Sequence, residues 1–141
     1  MRITFTCLFF LMIQIACAQD CVLVVSSGGG IAGSATVFKI GLDGKVLKGK
    51  GSGTVNFDEQ SKLKKSVAQM YYRKVKMAVK TASDFNHPGN MYYSIAIFEN
   101  GKENKITWGD FQYPVPDQPK NLYQEITTVL TSLTFTANTK K

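Results

Sequence analysis

Short apolar blocks alternate with turn residues along most of this chain, and two longer segments carry apolar residues at spacings of three and four. Cys21–Ser27 is almost continuously apolar, which predicts a strand covered on both faces. Ala35–Ile40 alternates, with Ala35 and Val37 on one side and Thr36, Phe38 and Ile40 on the other. A turn at Leu42-Asp43-Gly44-Lys45 carries the Asp-Gly pair favoured in tight hairpins, and Lys45–Lys50 reads as the returning strand. Glu59–Ala82 then shows a helical period through Leu63, Val67, Met70, Tyr71, Val75, Ala78 and Ala82, with Asp58 as the expected N-cap. Its other side holds Lys62, Lys65, Gln69, Arg73, Lys76 and Lys80, the pattern of a solvated outer face. His87-Pro88-Gly89-Asn90 suits a type II turn. Met91–Glu99 and Asn104–Gly109 form two more strands around an Asn100-Gly101 hairpin. A proline-stiffened linker from Tyr113 to Pro119 leads into a second helix, Pro119–Thr134, with Leu122, Ile126, Val129, Leu130 and Leu133.

The resulting order is βββ-α-ββ-α. It predicts an α+β fold, a single antiparallel sheet of about five strands with both helices on one face. The expected core is Val24, Val37, Leu63, Val67, Met70, Ile95, Ile97, Ile106, Ile126 and Leu130. Residues 19–136 make one domain, and residues 137–141 a polar tail.

Between the first two strands lies Ser26-Ser27-Gly28-Gly29-Gly30-Ile31-Ala32-Gly33. Read literally, Gly28, Gly30 and Gly33 have the spacing of the dinucleotide-binding fingerprint. That motif needs a helix next, because the pyrophosphate rests on the helix N-terminus. The residues that follow are β-branched and aromatic, so the stretch reads as a glycine-rich connection between strands. Ile31 is its only large apolar side chain. Either Ile31 is presented outward, or it folds inward as a lid on the core.

Residues 1–18 have the form of a secretory signal peptide. Arg2 supplies the charge, Leu8–Ile13 the apolar centre, and Ala16-Cys17-Ala18 a small-residue cleavage site, leaving Gln19 first. The apolar run is too short for a membrane-spanning helix, and no later stretch is long and apolar enough to serve as one. Ile15-Ala16-Cys17 also resembles a bacterial lipobox, in which Cys17 would carry lipid. The protein is thus expected to be secreted or periplasmic, with lipid anchoring at Cys17 as the alternative. Beyond the leader one cysteine remains, Cys21, which cannot form an internal disulfide. The net charge of +7 raises nucleic acid as a partner, but export argues against it.

Little in the sequence points to catalysis. The single histidine, His87, lies in a turn, and no His, Cys, Asp or Glu set has metal-ligand spacing. Asp110 and Asp117 read as a loop acid and a helix cap rather than a working pair. The expectation is a binding protein, not an enzyme, with no cofactor and no metal.

Four features together resemble the emfourin family, small protein inhibitors of thermolysin-like metallopeptidases. They are the Ser27–Gly33 loop, the Asp43-Gly44 turn, the Pro88-Gly89-Asn90-x-x-Tyr93-x-Ile95 lead-in to a strand, and the proline-led last helix around Leu122 and Leu133. Ile31 stands where the family's Ser-Gly-Gly-Phe-Ala-Gly carries Phe, and Pro88-Gly89 where Pro-Asp is usual. The resemblance implies a metallopeptidase partner bound through Gly28, Gly29, Gly30, Ile31, Ala32 and Gly33. The alternative is a periplasmic or surface interaction module without inhibitory activity.

Overall fold

The computed structural model describes residues 22–139; the expected leader, Cys17, Gln19 and Cys21 lie outside them. The chain runs through β1 (Val22–Gly29), β2 (Ser34–Gly41), β3 (Lys45–Gly51), β4 (Asn56–Lys62), α1 (Lys65–Thr81), β5 (Asn86–His87), β6 (Met91–Glu99), β7 (Lys102–Trp108), α2 (Asp117–Thr131) and β8 (Thr136–Ala137). The strands form one eight-stranded sheet in the order β5-β7-β6-β1-β2-β3-β4-β8. This corrects the expected antiparallel sheet of about five strands. The sheet is larger, and it is mixed, because β5 pairs with β7 in parallel.

Two of the additional strands are two-residue edge pieces, too short to show any periodicity. The third, β4, occupies sequence expected to open the first helix. Asp58 is therefore a strand residue and not an N-cap, and Lys62 does not belong to the helix. Tertiary pairing decides the matter. Gly51 and the turn after it return the chain alongside β3, and Glu59 sits opposite Lys48 with a 2.6 Å ion pair between them. The helix starts only at Lys65, with no side-chain cap. At the other end of the chain, Ala137, assigned by sequence to the polar tail, is the second residue of β8. Asn138 beyond it donates its backbone N–H to the Asp58 carbonyl at 2.7 Å.

Both hairpins expected from Asp43-Gly44 and Asn100-Gly101 form, and Asn100 and Gly101 both have positive φ (53° and 72°), as a tight primed turn requires. The type II turn does not form, since Gly89 is not left-handed. What that position needs is room, because a side chain there would meet the Gly109 carbonyl.

Side-chain parity settles the core. Leu23 and Val25 of β1, Phe38 and Ile40 of β2, Val46 of β3, Ile95 and Ile97 of β6, and Ile106 and Trp108 of β7 are buried. They meet Ala68, Tyr71, Tyr72, Val75, Ala78 and Val79 of α1, and Leu122, Ile126 and Leu130 of α2. Of the expected core, Leu63, Ile95, Ile97, Ile106, Ile126 and Leu130 are in it. Val24 and Val37 are half-buried on the sheet's opposite face: the β1 run has no alternation to write its inward parity, and in β2 it is the Phe38 and Ile40 side of the alternation that faces inward. Val67 and Met70 are half-buried at the helix margin. Among the described residues, no helix is long and apolar enough to cross a membrane.

Ile126→Ala should therefore cost about 2–5 kcal/mol. Val67→Ala, at the margin, should cost roughly 1 kcal/mol or less. Denaturant unfolding of the two variants checks the ranking.

Candidate protein-binding surface

The glycine-rich connection turns out to be a tight link between adjacent strands. Gly28 and Gly29 complete β1, the chain turns through Gly30–Gly33, and β2 begins at Ser34. No helix follows the glycines, so the pyrophosphate seat that the fingerprint requires does not exist. The turn is clamped. The Gly30 N–H donates to the Asn90 carbonyl at 2.9 Å, and the Gly33 N–H to the Gly30 carbonyl at 3.1 Å. Gly29 has φ +109°, and a Cβ there would collide with the Asn90 carbonyl oxygen, so glycine is demanded twice over.

Ile31 stands at the apex, fully exposed at 109%. It covers nothing, which removes the inward-lid alternative. Ala32 and Gly33 are exposed beside it.

A second loop meets the same anchor from the other side. After Trp108, the carbonyl of Met91 lies where a Cβ of Gly109 would be, and Gly109 has φ +151°. The Asp110 N–H donates to the His87 carbonyl at 3.1 Å, and the Asp110 carboxylate accepts from the Gln112 N–H at 2.9 Å. This short turn throws Phe111 into solvent at 101% exposure. Tyr113 follows, its ring stacked on His87 with centroids 4.0 Å apart and planes 6° apart. The Phe85 ring meets His87 edge-on at 4.9 Å. His87 is thus packed between two aromatic rings in β5, where it holds this loop in place.

Asn90–Met91 is the hinge post between the two loops. Met91 faces Gly29 across the β1–β6 ladder and is itself half exposed. Beneath them, Tyr93, Trp108 and Tyr123 form an aromatic floor, with ring centroids 5.3–6.1 Å apart. Burial pushes the Tyr123 phenol above its usual pKa; a hydrogen bond with Ser27 opposes this, and nearby Tyr93 adds to it. That contact joins α2 to the last turn of β1 before the loop.

Two neighbouring loops at this end of the sheet thus expose apolar side chains on braced backbone: Ile31, Met91, Phe111 and the rim of Tyr113. Sequence reasoning reached Ile31 and missed Met91 and Phe111. A signal for Phe111 exists, a lone large apolar residue in a short polar turn between Gly109 and Pro114. Asp117, considered as one of a carboxylate pair, opens α2, where a negative charge suits the helix dipole. Among the described residues, no group of three or more His, Cys, Asp or Glu could hold a metal ion. Of the features behind the family resemblance, the glycine loop and the Pro88–Asn90 lead-in are brought together by the Gly30–Asn90 hydrogen bond, while Asp43-Gly44 lies at the far end of the sheet. No protein-family model matches the sequence, and no curated protein matches it.

Gly29→Ala should release the Gly30 amide from Asn90 and cost about 1–3 kcal/mol through backbone strain. Hydrogen exchange should show lost protection at Gly30, with little change at Leu23 and Val25 in the middle of β1.

Proposed function

We propose that this chain is an exported, non-catalytic binding protein that grips its partner with the loop row at one end of the sheet, and that the partner is a thermolysin-like metallopeptidase. The observation that carries the reading is Ile31, wholly exposed on a loop pinned at both ends and braced by Asn90. Tight inhibitors rely on such preorganised loops with a few apolar anchors, because little ordering entropy is left to lose on binding. Peptidases of this class cleave beside hydrophobic residues, so an apolar side chain on a rigid loop suits their cleft. The glycine loop forms the site, with Ile31 as anchor and Gly28, Gly29, Gly30, Ala32 and Gly33 as its frame. Met91 and Phe111 widen the contact.

The second reading is a periplasmic or surface interaction module without inhibitory activity. It is favoured by Ile31 and Gly89 standing where the resembling family has Phe and Asp. In either reading, mass spectrometry of the exported protein should find Gln19 at the N-terminus. Lipid on Cys17 would instead establish the anchored form, and an intact Met1 would exclude export by either route.

Titration of the mature protein against a purified thermolysin-like peptidase tests the first reading. Ile31→Asp should weaken inhibition by more than about tenfold, or ~1.4 kcal/mol, and leave the melting temperature unchanged, since Ile31 buries nothing. Phe111→Ser should weaken it further. Inhibition that survives both changes in folded protein would exclude this surface, and absence of inhibition by the unaltered protein would leave the interaction-module reading.

A further inference from the structure

The opposite end of the sheet carries a group of lysines that the loop row does not use. Lys45 and Lys62 are direct partners across β3 and β4. The Leu63 N–H donates to the Gly44 carbonyl at 2.8 Å, which draws the β2–β3 turn against the start of α1 and brings Lys64 and Lys65 alongside. All four are exposed, and none takes part in an ion pair among the described residues. Lys45 and Lys62 also line an open depression of about 660 Å³ whose one acidic residue is Asp43. Lys102 begins β7 at the same end. Among the described residues the other acids there are Glu99 and Glu103. Glu99 is engaged by Lys76 at 2.7 Å, which holds its carboxyl below the usual value.

This grouping works against the fold. Like charges directly opposed in an antiparallel pair repel. Lysines at the start of a helix meet the positive end of its dipole, where acids are favoured, and the first turn of α1 has no acid. Local rules broken with no structural return are the mark of a surface kept for another purpose.

We propose that this basic end is a docking surface for an anionic lipid bilayer. Position favours a membrane over other polyanions. Val22, opposite Gly41 and Phe98, stands at this same end, so the described fold begins on the basic side. If Cys17 carries lipid, the five residues from it to Val22 reach at most about 18 Å. Clustered lysines near an anionic leaflet each add to attraction within a Debye length. The eight residues of β1, at roughly 3.3 Å each, then hold the Ile31 and Phe111 loops about 26 Å out, facing away from the lipid. The inference does not require the metallopeptidase reading.

The test is co-sedimentation of the purified mature protein with vesicles of phosphatidylcholine alone and of phosphatidylcholine mixed with phosphatidylglycerol. Binding is expected to the mixed vesicles only and to fall as salt rises. Replacing Lys45, Lys62, Lys64 and Lys65 with Gln should weaken it by about fivefold per lysine, on the order of several hundredfold together. The melting temperature should hold or rise, because the Lys45–Lys62 repulsion is relieved. A control of equal charge, with Lys39, Lys50, Lys105 and Lys120 replaced by Gln, should bind nearly as the unaltered protein does. If the fourfold variant fails to fold, Lys64→Gln with Lys65→Gln carries the same test, at roughly twenty-five-fold. Failure of the unaltered protein to bind mixed vesicles would overturn the proposal. So would equal losses in patch and control variants, which would indicate net charge alone. Binding to heparin or nucleic acid without binding to vesicles would overturn it in favour of a soluble polyanion.

Discussion

β1 is paired along its full length on both sides, to β2 and to β6, and the rest of the molecule follows from that double ladder. With both edges satisfied and Leu23 and Val25 fully buried under the helices, the strand has neither a free backbone edge nor slack. A shift by one residue would turn Leu23 and Val25 away from the helices and expose the whole inner row. The register therefore places Gly29 opposite both Ser34 and Met91. The glycine turn and the Pro88–Asn90 segment consequently share one end of the sheet, and their carbonyls and amides can only meet each other.

Rigidity at that end is built from backbone more than from side chains. One strand-end glycine yields its side chain to the Asn90 carbonyl, and another, on the far side, yields to the Met91 carbonyl. The packed Phe85, His87 and Tyr113 rings fasten the second loop, and the Tyr123–Ser27 contact ties the floor to β1. Ile31 and Phe111 can point wholly outward because nothing in the fold depends on burying them.

Much of this was legible in the sequence, for definite reasons. Asn100-Gly101 and Gly44 announce hairpins because few other residues tolerate positive φ, and the Asp43 carboxylate marks its turn by accepting the Lys45 N–H. Alternation in Ala35–Ile40 and Met91–Glu99 declares strands. The expectations failed where a residue serves two patterns or none. Leu63 and Val67 are four apart and suggest one helix, yet Leu63 is buried just before the helix begins. Val24 and Val25 are chemically alike, so only the packed helices decide which is inside. A two-residue strand such as β5 exists only because a neighbour is there to pair with it. In the candidate site, Ile31 was visible as the one apolar residue among glycines. Phe111 left only a faint signal, one large apolar residue in a short turn, since its exposure depends on the Asp110–His87 hydrogen bond joining segments distant in sequence.

The outer edge of β7 has one further consequence. Among the described residues, β5 pairs only with Thr107 and Trp108, and no other strand lies beyond the stretch from Lys102 to Lys105. That bare stretch reads Lys-Glu-Asn-Lys, and all four residues are exposed. A second chain adding there in register would have to bring charges into line with charges. The opposite border ends in β8, also only two residues long. Short or charged borders of this kind resist edge-to-edge aggregation, so an eight-stranded sheet can be crowded at high concentration without growing into fibres.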